Sequence, residues 1–128
     1  MHRKGEHVFK GGKCLFIRDW SGFWSSVQDE GSKVTGKIGA TTLPVGPSGE
    51  DSHTCLGGLD LVINNNVDDA HKEAAADFIS YMASADTQKE MTLISSQPPV
   101  VKSVYEDADI LEAIPFLREQ FRSYPGYP

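Results

Sequence analysis

Three short apolar runs, each bounded by glycine, proline or asparagine, precede stretches of helical periodicity, and this order limits the chain more than any other feature. The first run, Lys13-Cys14-Leu15-Phe16-Ile17-Arg18, follows Gly11-Gly12, and the pattern predicts a buried strand leaving a turn. The second, Val34 to Leu43, alternates and stops at Pro44. The third, Leu59-Asp60-Leu61-Val62-Ile63, follows Gly57-Gly58 and ends at Asn64-Asn65-Asn66. Glycines at the start of a strand let another group approach the backbone closely, and Asp60 is expected on its solvent side.

The second half reads as helix. Ala70 to Met82 places Ala74, Ala75, Phe78, Ile79 and Met82 on one face, and Asp68 or Asp69 can cap it by accepting from the first backbone N–H groups. Ser84 is the candidate cap of Ala85 to Ser95, which Pro98-Pro99 terminates. Asp109 and Glu112 form a D-x-x-E capping box before Ile110, Leu111 and Ile114. Between the first two strands, Asp19 to Trp24 reads as a loop or helix start with exposed rings, and residues 122–128 read as an irregular aromatic tail. Three strands leading into several helices make an α/β fold.

Composition removes several functions. With 39% hydrophobic and 23% charged residues over 128 positions, the chain has the make-up of one folded globular domain. A net charge of -6 with scattered basic residues argues against nucleic acid, whose phosphates require clustered Lys and Arg. No apolar run is long enough to span a bilayer, and the basic stretch Met1 to Lys13 is not followed by the apolar segment of a secretory signal. Two cysteines, Cys14 and Cys55, and four scattered histidines do not make a zinc pattern. Two buried thiols are the expectation for the cysteines. No nucleophile elbow, H-E-x-x-H or phosphate loop occurs, so neither catalysis nor a cofactor is expected.

The aromatic cluster Trp20, Phe23, Trp24 is the most informative chemistry. A sugar ring stacks its C–H face on an indole while its hydroxyls seek backbone or polar partners, and Gly57-Gly58 could offer such backbone groups. The same aromatics serve equally well as core, so these residues alone leave both readings open.

The order of motifs adds a resemblance. Phe9-x-x-Gly12-Lys13 before an apolar run and Asp19-Trp20, Leu43-Pro44-x-Gly46, Leu56-Gly57-Gly58, the stretch His71-Lys72-Glu73-Ala74-Ala75-Ala76-Asp77-Phe78-Ile79, Asp86-Thr87-Gln88 and Pro98-Pro99 together resemble the extracellular solute-binding proteins of maltose- and trehalose-type ABC importers. The resemblance implies a partial periplasmic-binding-protein type II fold: a short mixed sheet packed by helices. It implies a single truncated module over residues 1–128, without the family's amino-terminal part and final helices. Trp20 would then stack on a sugar in an interlobe cleft lined by Gly57, Gly58 and Leu59, with Leu59 standing where some relatives carry an aromatic platform. Arg122 and Tyr124 correspond to a stretch rich in Arg, Pro and Tyr.

The implied partners are a small sugar and an ABC permease. A periplasmic or extracellular place is implied for the family, and a cytoplasmic one for the chain as written without a signal. Strands without their usual neighbours predict a homodimer or an element-exchanged oligomer. Two readings follow: the sugar-binding component of an importer, present as a fragment that binds weakly or not at all, and a stand-alone oligomeric module that keeps the fold without transport.

Overall fold

The computed structural model describes residues 3–49, 52, 54, 55 and 57–118. Among them, five α-helices and one 3₁₀ turn follow in order: α1 (Arg3–Lys10), α2 (Phe23–Val27), α3 (Asp69–Met82), α4 (Ala85–Ser95), the 3₁₀ turn Lys102–Glu106 and α5 (Ala108–Ala113).

The core lies at the carboxy-terminal end of the described chain. Val104, Tyr105, Ile110, Ile114 and Leu117 are buried against one another, with Trp24, Val101 and Phe116 packed around them. Helix α4 closes one side, and its inward face is polar: Thr92 is almost fully buried and Thr87 nearly so. Gln88 joins three segments, donating from Nε2 to the Met82 carbonyl at 2.7 Å and accepting from Val100 N at 2.9 Å. The expected helical face of Gln88, Met91 and Ile94 is therefore only partly inward, because Met91 and Ile94 are exposed.

Local capping explains where the helices begin and end. Asp68 accepts from His71 N at 3.0 Å and pairs with His71 Nδ1 at 2.7 Å. Its carboxyl lies below the usual range, first because of that backbone N–H and then because of the imidazole. Ser84 Oγ accepts from Thr87 N. At α5 the cap is Asp107, two residues before the expected one: it accepts from Asp109 N at 3.0 Å and Ile110 N at 3.4 Å. Asp109 instead joins Asp107 in holding Lys89 Nζ, at 2.6 and 2.8 Å.

Two parts of the amino-terminal half differ from the sequence expectation. Residues 3–10 are helical, and Gly11-Gly12 ends that helix rather than opening a strand. Lys13 N donates to the Val8 carbonyl and Gly12 N to the Phe9 carbonyl, with Gly12 at φ 70°. This is the paired closure in which a left-handed glycine satisfies the last carbonyls. The start of the expected second strand, Val34 onward, is instead a turn closed by Lys37 N on the Val34 carbonyl at 2.9 Å and by Gly36 N on Gln28 Oε1 at 2.9 Å.

The short mixed sheet is absent among the described residues: segments 13–18, 38–43 and 59–63 are neither helical nor joined in a ladder. A strand exists only through a hydrogen-bonded neighbour, and none of these segments pairs with another. Their apolar side chains are correspondingly bare, with Leu15 87%, Phe16 89%, Val62 85% and Leu59 102% exposed. Cys14 is half-buried and Cys55 exposed, so neither is the buried thiol expected. No helix among the described residues is long and apolar enough to cross a membrane.

The Lys89 cluster yields a pH prediction. Lys89 first of all holds the Asp107 carboxyl below its usual range, and the Lys89 ammonium is raised by Asp107 and then Asp109. A lowered carboxylate stabilises the fold above its unfolded pKa of about 4, and that contribution is lost as pH falls through the folded value. A raised ammonium contributes below its unfolded pKa of about 10.4 and loses that contribution as pH rises further. Asp107→Asn keeps an oxygen for the helix cap and removes the charge. Its urea midpoint should lie below that of the parent chain between about pH 5 and 9, with the two converging towards pH 2 and the gap shrinking in high salt. A gap that is constant with pH would contradict the charge argument.

Candidate functional site

Trp20 lies at the start of a tight turn that leads into α2. Its own backbone N donates to Asp19 Oδ1 at 2.8 Å. Its carbonyl accepts from Phe23 N at 3.0 Å, and Trp24 N follows onto the Ser21 carbonyl at 2.9 Å. The turn is held from one side by the segment after α4. That helix ends where Ser96 adopts a left-handed conformation, φ 55°, and the Gln97 side-chain amide then packs directly on Gly22, beside the Ser95 carbonyl.

The other tryptophan of the cluster faces inward. Trp24 donates from Nε1 to the Ala113 carbonyl at 3.3 Å and meets Phe116 edge to face, ring centroids 5.0 Å apart. Phe23 meets Phe9 of α1 edge to face at 6.2 Å. Of the three aromatics, two are therefore structural, and Trp20 alone offers its ring outward, 54% exposed.

Among the described residues, Gly57 is the candidate partner that the structure brings to Trp20. A Cβ placed at Gly57 would lie 3.1 Å from Trp20 Cη2 and 3.8 Å from Cζ3, so the far edge of the indole abuts the Gly57 backbone. Gly58 faces open space: a Cβ there meets nothing within 4 Å. Leu59 is fully exposed. Tyr124 and Arg122 lie outside the described residues.

Sequence reasoning missed Gln97 and Gly22 as the pair that fixes the turn carrying Trp20. Gly22 was visible only as a loop residue, and no periodicity connects it to a position 75 residues away. Among the described residues no group of three His, Cys, Asp or Glu side chains could hold a metal. The chemistry on offer is an apolar indole beside exposed backbone, which suits a neutral polyhydroxylated ring.

The chain belongs to the family described as bacterial extracellular solute-binding proteins, whose pattern matches residues 4–115. That family is one of binding proteins rather than enzymes. Among its relatives, a probable ABC transporter-binding protein of Deinococcus radiodurans is 35% identical over 113 residues, which cover 88% of this chain and 26% of that protein. Among solved structures, maltose-bound T. maritima MalE3 superposes with a TM-score of 0.87 at 36% identity, over 94% of this chain and 30% of that one. The chain thus spans about a quarter to a third of the length of these relatives.

Proposed function

We propose that this chain is part of the sugar-binding component of an ABC import system and that Trp20 is the surface on which the sugar stacks. The observation that carries the proposal is the outward indole of Trp20, set against Gly57 in a backbone whose arrangement matches that of a maltose-bound protein at 36% identity. Gly58 and Leu59 border the same surface and offer backbone groups to sugar hydroxyls. Tyr124 is proposed as a further contact on the same ligand. The ligand is a maltose-like oligosaccharide, the partner is an ABC permease in the membrane, and the chain meets it from the periplasmic or extracellular side.

Stacking on one indole supplies only a modest part of a binding energy, on the order of 1 kcal/mol beyond area burial. The chain taken alone should therefore hold maltose weakly, in roughly the millimolar range. A calorimetric titration with a panel of maltose-like oligosaccharides should give weak heats in the parent chain and none in Trp20→Ala. Full retention of affinity in Trp20→Ala would remove Trp20 from the site.

The bare apolar segments also bear on assembly. The accessible surface is 9975 Å², whereas a compact monomer of this mass exposes about 6,700 Å². The excess of about 3,300 Å² is several times the roughly 800 Å² per partner of an ordinary stable interface. Unpaired backbone beside exposed Leu15, Phe16, Leu59 and Val62 is a template for pairing with a second copy. We propose a homodimer, or an exchange of elements between two copies, as the state of the isolated chain. Light scattering on the purified chain should return the mass of two copies, and a monomer across the micromolar range would contradict this.

A further inference from the structure

We infer that Gly57 is a positioning residue for the Trp20 indole: its missing side chain sets the tilt at which the ring meets a ligand. This rests on the reading of Trp20 as the stacking surface. The approach of the indole to Gly57 is closer than a side-chain carbon normally tolerates, because a Cβ would stand 3.1 Å from Cη2 and 3.8 Å from Cζ3. Only the far edge of the benzene ring meets this backbone. The base of the residue is fixed separately by the turn, through Asp19 Oδ1 on Trp20 N and Phe23 N on the Trp20 carbonyl.

With its backbone pinned by the turn, the ring retains its side-chain torsions, and Gly57 limits how far they rotate towards the chain. A methyl group at position 57 therefore leaves the turn in place and pushes the ring outward. Gly58 does not share this role, since a Cβ there meets nothing within 4 Å. The two glycines, equivalent in sequence, do different work: one supports the ring and the other leaves backbone open beside it.

The test uses the full chain with Gly57→Ala, checked for an unchanged helical circular dichroism spectrum, and reads tryptophan emission with acrylamide as quencher. Gly57→Ala should red-shift the emission and raise quenching. Gly58→Ala should leave the emission as it is. In a Trp20→Phe background, where only Trp24 emits, Gly57→Ala should change nothing. Maltose affinity followed by titration should fall about two- to tenfold in Gly57→Ala, the range expected when aromatic stacking geometry is disturbed.

Unchanged emission in Gly57→Ala would overturn the inference, as would an equal change in the Trp20→Phe background, which would mean a general disturbance of the fold. A changed emission with maltose affinity intact would also overturn it, while the sugar reading itself would stand. Absence of maltose binding in the parent chain would sink the sugar reading, and the positioning role with it, with the emission data then reporting packing alone.

Discussion

The contact of Trp24 with the carboxy-terminal core is the interaction on which the remaining arrangement depends. Its Nε1–H reaches the carbonyl of Ala113, 89 residues away, and its ring lies edge to face with Phe116. A polar N–H placed on a carbonyl at the end of α5 fixes the indole in orientation as well as in depth, and an edge-to-face pair adds about 1 kcal/mol to the area it buries. Trp24 packs α2 against the cluster that holds Ile110, Ile114 and Leu117, and the same helix buries Val27. Helix α1 is attached in turn through Phe9 on Phe23 and through Lys10, whose ammonium donates to Ser26 Oγ at 3.2 Å.

The position of Trp20 follows from this anchoring. Four residues before Trp24 and joined to it by a turn of three consecutive backbone and side-chain hydrogen bonds, Trp20 cannot also reach the core. One indole is used for structure, and the other is left outward beside Gly57. Gln97 on Gly22 closes the turn from the α4 side. The candidate site is thus assembled from three separate stretches of sequence, residues 20–22, 57 and 95–97, all irregular apart from Ser95, the last residue of α4. A rigid scaffold carrying binding residues on loops is a common division of labour.

Local signals were legible and non-local ones were not. The caps Asp68 and Ser84 and the extents of α3 and α4 could be read from sequence because a cap acts within three residues. The cap of α5 is Asp107 rather than Asp109 because the helix already begins at Ala108, which puts Asp109 inside its first turn, where it meets Lys89 from 20 positions away. Gly11-Gly12 signals a turn under either reading, and only the Val8 and Phe9 carbonyls reveal that a helix precedes it. The three apolar runs carry the composition of strands, yet pairing depends on neighbours that the described residues do not provide. For the site, Trp20 and Gly57 could be named from the order of motifs, but their contact, and the separation of Trp20 from Trp24 in role, required coordinates. The resemblance puts Leu59 in the same cleft, and its side chain stands fully exposed.

The two tryptophans make the central claim directly measurable. Each contributes one indole N–H signal to a nitrogen–proton correlation spectrum of the labelled chain, and Trp20→Phe assigns them. On addition of maltose the Trp20 signal should shift progressively and saturate, while that of Trp24, bonded to the Ala113 carbonyl, should stay in place. A Trp20 signal that does not move at saturating maltose, or a shift confined to Trp24, would contradict the assignment of Trp20 as the sugar-stacking surface.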